Sequence, residues 1–304
     1  MRRSVEIVEV GPRDGLQNEQ QVFTVKQRQG LVLGLAQAGL RRIEVGAFVS
    51  PRWVPQMADT GELVSELEDS AAAKDCRFSV LVPNPKGMEL ALKTRLKEVA
   101  IFGACSESFS QKNINCSIEE SFSRFAEVLR MAKGQNIKVR GYLSTAFGCP
   151  YEGLVSEGQV VKLAERMLAL GVYEVSIGDT IGVATPLQVT GLVNKLLKKI
   201  PPRKLALHFH DTRGTALANV YAGLQLGIGV FDSSLGGLGG CPYAQGASGN
   251  LATEDLVYML SSMGIKTGVD LAALIELSRG FQAEVGHRLP SRVMQAGLPH
   301  FTWR

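Results

Sequence analysis

Eight short runs rich in β-branched and apolar residues recur along the chain, at 5–10, 43–48, 78–82, 99–102, 139–144, 175–177, 205–209 and 230–233, with helical stretches between them. Strands buried on both faces read as apolar runs, and a parallel return needs a crossover that is usually a helix. This alternation therefore limits the possible folds more than any single residue does. The helical period is plain at Val160, Leu163, Ala164, Met167 and Leu168, which fall at i, i+3, i+4, i+7 and i+8 and lay one apolar stripe along a helix. Thr24 and Ser156 stand where N-caps are expected, ahead of helices at 25–38 and 159–170.

Eight strand and helix units in about 260 residues, with no Pro/Gly/Ser-rich linker, predict one α/β domain over 1–304. We expect a (β/α)8 TIM barrel over about 4–264 and an extra C-terminal helical segment over about 265–304, with its helix at 268–287. An open doubly wound sheet would more often carry a glycine fingerprint after its first strand. Gly11-Pro12-Arg13-Asp14-Gly15 is not G-x-G-x-x-G.

Composition narrows the partners. Lys+Arg 33 against Asp+Glu 29 leaves a formal charge of +4, with no long basic run to track a phosphate backbone, so nucleic acid is not expected. Cysteines at 76, 105, 116, 149 and 241 form no C-x-x-C pair in a chain too long to need disulfide staples, which points to reduced thiols. Met1-Arg2-Arg3 leads straight into the first apolar run, so we expect no signal or transit leader and a cytoplasmic location. No apolar run approaches the roughly 20 residues of a membrane-spanning helix.

Polar side chains gather where the strands should end: Arg13 and Asp14, Glu44, Asn84, Glu107, Ser144 and Thr145, Asp179, His208 and His210. That end of a barrel is where active sites are built. Along a strand His208 and His210 project to one side, away from Leu207 and Phe209. Alone, the pair reads equally well as two imidazoles bonded to backbone carbonyls. With the carboxylate of Asp14 it reads as a two-imidazole, one-carboxylate set for a divalent cation, with positions left open for substrate. Oxygen ligands and the lack of a zinc-finger cysteine spacing favour Mg²⁺ or Mn²⁺ over structural Zn²⁺.

Arg13 beside Asp14 is either a plain salt-bridging pair or a guanidinium aimed into the barrel mouth, where it would stabilise an enolate oxygen or hold a carboxylate. Glu44 on a barrel strand is costly unless paired, and we expect it to hold Arg13 or a metal ligand in place. Asp179 is either part of the site or an N-cap of the next helix. Cys241 sits at the end of Gly236-Gly237-Leu238-Gly239-Gly240, where glycines allow close backbone approach to a ligand, and is a candidate thiol acid or base. We expect the other cysteines to be structural, and His287 and His300 to be surface or packing residues.

Several blocks together resemble one family. They are Val10-Gly11-Pro12-Arg13-Asp14-Gly15-Leu16-Gln17-Asn18-Glu19, Phe48-Val49-Ser50-Pro51, Lys112-Asn113-Ile114-Asn115, Gly148-Cys149-Pro150-Tyr151-Glu152-Gly153, Gly178-Asp179-Thr180-Ile181-Gly182, His208 to Asp211, and Gly239 to Asn250. Across nearly the whole chain they look like the 3-hydroxy-3-methylglutaryl-CoA lyase family, whose glycine-cysteine loop is generally missing from related barrel synthases and aldolases. The resemblance implies metal-dependent retro-Claisen cleavage of an acyl-CoA substrate, 3-hydroxy-3-methylglutaryl-CoA, to acetyl-CoA and acetoacetate. It also implies that Asp14, His208, His210 and Asn250 form the cation site, that Arg13 stabilises the enolate and that Cys241 is the catalytic thiol. Gln17, Glu44, Asn113, Tyr142, Ser176 and Asp179 match supporting positions. The general base stays open between Asp14 and His208. Leu235-Gly236 and Arg213 depart from the family pattern without touching a proposed ligand. A homo-oligomer is expected, with a dimer favoured.

Overall fold

The computed structural model describes residues 2–239 and 249–299. Its eight apolar runs all form strands: β1 (Glu6–Glu9), β2 (Arg42–Ala47), β3 (Arg77–Leu81), β4 (Glu98–Ala104), β5 (Lys138–Ser144), β6 (Glu174–Asp179), β7 (Leu205–Phe209) and β8 (Val230–Ser233). Parallel neighbours follow chain order, and β8 returns to β1 through Glu6↔Val230 to Glu9↔Ser233, so the sheet closes into a barrel. Closure leaves no strand edge exposed.

The helices are α1 (Val25–Gln37), α2 (Thr60–Glu68), α3 (Pro85–Ala91), α4 (Glu107–Ile114), α5 (Ile118–Gly134), α6 (Glu157–Leu170), α7 (Pro186–Leu197), α8 (Ala216–Gln225) and α9 (Thr253–Ser262), followed by α10 (Leu271–Val285) and α11 (Arg292–Ala296). Thr24 caps α1 through a reciprocal capping box with Gln27. Ser156 occupies the N-cap position of α6, but its side chain makes no capping hydrogen bond. The stripe of Val160, Leu163, Ala164 and Met167 is buried against the barrel. None of the described helices is long and apolar enough to cross a membrane.

The inside of the barrel is partly ionic. Arg42, Glu98, Arg140, Glu174 and Asp232 are all at most 5% exposed, a setting in which each charge must be paired. The Arg140 guanidinium donates from Nε to Glu174 at 2.7 Å and from Nη2 to Asp232 at 2.7 Å, while Arg42 reaches Glu174 at 2.9 Å. Burial by itself would depress Arg140, but Asp232 and then Tyr142 and Glu174 hold it above the ordinary arginine value.

Candidate active site

After β1 the chain makes one π-helical turn, Gly11–Gly15, with Pro12 near its start. This turn carries Arg13 and Asp14 at the C-terminal rim of the barrel, just beyond the strand. Arg13 is 4% exposed. Its Nε donates to the Glu44 carboxylate on β2, and its Nη1 to Asp14 Oδ1 at 2.6 Å. Tyr142 on β5 donates its hydroxyl to the other Glu44 oxygen at 2.8 Å, and its ring centre lies 5.6 Å from Arg13 Cζ. Burial opposes the Arg13 charge, yet Glu44 and Asp14 raise the guanidinium above its ordinary value. It is permanently cationic and fixed.

On β7, alternation points His208 into the barrel, and His210 follows just past the strand, bridging to Asn250. The two imidazole centres are 5.2 Å apart. One ligating atom from each of Asp14, His208 and His210 falls within 4.8 Å of the others. Asn250 completes the group: its Nδ2 donates to Asp14 Oδ2 at 2.8 Å and to the Leu238 carbonyl at 3.1 Å. Its Oδ1 is buried and has no hydrogen-bond partner among the described residues, and the same holds for His210 Nδ1.

The protonation states suit a cation. Burial, followed by the neighbouring His208, pushes His210 down to about 3, so its ring is neutral at pH 7. Burial would raise Asp14, but Arg13 and then the two histidines outweigh it and hold the carboxyl below its usual range. A neutral imidazole, an ionised carboxylate and an unsatisfied amide oxygen are the forms that ligate a hard or borderline divalent ion. These residues fit such an ion.

The remaining predicted residues surround this group. Gln17 donates to Asp14 Oδ1 at 3.1 Å. Ser176 on β6 donates to Asp232 Oδ2 at 2.6 Å. Asn113, on α4, lines the same cleft of about 810 Å³ as Arg13, Asp14, Tyr142 and His208. Asp179 does not cap α7, whose N-cap is Thr185; its carboxylate accepts from the Val183 and Ala184 amides at 3.0 and 2.9 Å and so shapes the turn ahead of that helix. Asn84 is the N-cap of α3, and Glu107 accepts from the Ile118 amide at 3.0 Å, so both serve helix ends. Cys76, Cys105, Cys116 and Cys149 are buried free thiols. His287 is exposed and pairs with Glu19 at 2.8 Å. Cys241 and His300 lie outside the described residues.

Two sets of groups escaped sequence reasoning. Asp232, on β8, sits beside His208 on β7 in register, with Oδ2 3.4 Å from His208 Nδ1. Glu9 and Glu254 are buried carboxylates behind the rim. Glu9 Oε1 accepts from the Gly11 and Leu235 amides at 2.8 and 2.9 Å, and Oε2 accepts from Thr253 at 2.6 Å. Glu254 accepts from the Gly236 amide at 2.9 Å. The available signal was a charge inside an expected strand run, at Glu9 and Asp232; Glu254 offered none.

Comparison with known proteins agrees with this geometry. Residues 4–280 match the HMGL-like family model. Hydroxymethylglutaryl-CoA lyase of Pseudomonas mevalonii is 51% identical, covering 97% of this chain and 96% of that protein. The crystal structure of hydroxymethylglutaryl-CoA lyase from Pseudomonas aeruginosa superposes with a TM-score of 0.94 at 49% identity, covering 97% of this chain and 98% of that one. An HMG-CoA lyase from A. baumannii, solved in complex with coenzyme A and 3-methylmalate, gives a TM-score of 0.93 at 40% identity, over 99% of this chain and 97% of that one. Sequence, barrel and rim thus converge, and the chain belongs to the HMGL-like family, among the hydroxymethylglutaryl-CoA lyases.

Proposed function

We infer that this chain, working as one catalytic domain, cleaves 3-hydroxy-3-methylglutaryl-CoA to acetyl-CoA and acetoacetate. The observation that carries the reading is the convergence of Asp14, His208 and His210 within 4.8 Å, beside a fixed Arg13, in a cleft of about 810 Å³. Asp14, His208, His210 and the Asn250 carbonyl would hold a divalent ion, Mg²⁺ or Mn²⁺. When bound, that ion supplies a Lewis acid for the tertiary alcohol and carboxylate oxygens and lowers the hydroxyl pKa.

The chain's own groups meet the other needs of the reaction. Cleavage removes the hydroxyl proton, converts the alcohol carbon to the ketone of acetoacetate, and leaves the bond's electron pair on the thioester fragment as an enolate. Asp14, ionised and held at the rim, is an acceptor for that proton. Arg13 presents fixed donors to the enolate oxygen, and Glu44 and Tyr142 keep it from swinging away. Protonation at carbon then gives acetyl-CoA, and we assign that proton to Cys241. Support comes from the residues bracketing its segment: Asn250 bonds to Asp14, and a Cβ placed on Gly239 would lie 3.3 Å from the Asp14 carbonyl oxygen. Gln17, Asn113, Ser176 and Asp179 we assign to support of the site. We place the protein in the cytoplasm on its reduced thiols.

Purified protein supplied with Mg²⁺ or Mn²⁺ is expected to release acetyl-CoA and acetoacetate in equal amounts from 3-hydroxy-3-methylglutaryl-CoA, and EDTA is expected to stop both. Intact substrate alongside turnover of another hydroxyacid would overturn the substrate assignment.

A further inference from the structure

An imidazole can ligate only through a nitrogen that carries no proton, so a histidine at a cation site needs something to decide which nitrogen that is. At His208 the deciding group is visible. Its Nδ1 is buried and has no hydrogen-bond partner among the described residues, and the acceptor it faces is Asp232 Oδ2, 3.4 Å away. An ionised carboxylate only accepts hydrogen bonds, so it favours a proton on the nitrogen that faces it.

Asp232 cannot turn away from this role. Its side chain is fully buried, Arg140 Nη2 donates to Oδ1 at 2.7 Å, and Ser176 donates to Oδ2 at 2.6 Å. Arg140 is itself fixed by Glu174, and Glu174 by Arg42. A chain of charges thus runs through the barrel interior and ends beneath one histidine of the rim. Strand register imposes the contact, because Asp232 on β8 is the direct neighbour of His208 on β7.

We propose that Asp232 is a positioning residue that fixes His208 as the Nδ1–H tautomer and holds its ring plane, so that Nε2 presents a lone pair to the divalent ion. The proposal rests on the cation reading of Asp14, His208 and His210 above. Substitution with asparagine shows why charge matters. Arg140 would claim the amide oxygen, which leaves the amide NH₂ to face Nδ1, and a donor there favours the opposite tautomer.

Two measurements test this. First, the chain has four histidines, so ¹⁵N-histidine NMR of the metal-free wild type at pH 8, assigned by comparison with His208→Gln, reports the His208 tautomer directly. The pH is raised from there until the ring carries a single proton; finding that proton on Nδ1 is expected, and finding it on Nε2 overturns the proposal. Second, Mn²⁺ titration of Asp232→Asn, with its fold checked by circular dichroism, is expected to show affinity about 10- to 100-fold weaker than wild type. Wild-type affinity in Asp232→Asn, while His208→Ala loses Mn²⁺, overturns the role of Asp232 and leaves the cation reading standing. Wild-type affinity in His208→Ala overturns both. If Asp232→Asn does not fold, the wild-type tautomer decides alone.

Discussion

Arg13 satisfies two carboxylates at once and still faces the cleft. Its Nε and Nη1 are spent on Glu44 and Asp14, and the Tyr142 ring packs beside it, so the fork is held in one orientation at the cleft. A lysine at this position keeps the charge but cannot serve both partners and an oxyanion with one geometry. Arg13→Lys is therefore expected to lower kcat about 10²- to 10³-fold, the usual effect of losing one preorganised oxyanion donor, with a smaller change in KM. Steady-state acetyl-CoA release measures this, and an unchanged kcat would show that Arg13 is only structural. The rim residues were legible in the sequence because Glu44 and His208 interrupt otherwise apolar strands and Arg13, Asp14 and His210 closely follow them. Asp232 and Arg140 were not. In Lys138-Val139-Arg140-Gly141-Tyr142, polar and apolar residues alternate as they do in a strand with one wet face, and nothing local says that the polar face is the inside of a barrel.

At the scale of elements, the end of β1 and the end of β8 are tied together by buried acids. Glu9 bonds both the Gly11 amide, which opens the turn carrying Arg13 and Asp14, and the Leu235 amide after β8. Glu254, at the start of α9, holds the Gly236 amide from the other side. Gly236 has φ +62°, in the left-handed region, and a Cβ there would lie 2.4 Å from Leu289 Cδ1, so this turn requires glycine. Burial pushes Glu9 up to about 7 and Glu254 up to about 8, with Glu9 adding to the second. Between the ordinary value of 4.5 and about 8 the native state thus keeps a proton on Glu254 that the unfolded chain releases. Stability from this group is full below that window and falls as pH rises through it, by at most about 1.4 kcal/mol per pH unit. Glu254→Gln, neutral at every pH and still able to accept from Gly236, is expected to flatten the fall. Urea unfolding of both proteins from pH 5 to 9 measures it, and parallel curves would contradict the assignment. These acids escaped the sequence reading because Glu9 ends a strand ahead of a turn and Glu254 lies in the first turn of a helix, positions where exposed acids are common.

At the scale of the whole molecule, the site exists only because the barrel closes. Asp14 and the two histidines are almost two hundred positions apart in the chain, and the β8 to β1 pairing brings their strands around one rim. The strand pattern made this readable in advance: 205–209 and 230–233 match β7 and β8, and the other six strands differ from the expected runs by one or two residues at an end. The Arg42, Glu98 and Glu174 residues that open β2, β4 and β6 were left out of those runs, since charge is normally read as the end of a buried strand. They point inward and neutralise one another. The short α4 and α11 were also not anticipated, because eight and five mixed residues carry too little periodicity to declare a helix. The central claim is that Asp14, His208 and His210 together bind one divalent ion on which cleavage depends. Mn²⁺ titration of the metal-stripped protein, with acetyl-CoA release followed on the same samples, tests it most directly. The wild type should take up one ion per chain and recover activity in step, and His208→Ala should lose both. A His208→Ala protein that binds and cleaves like wild type would contradict the account.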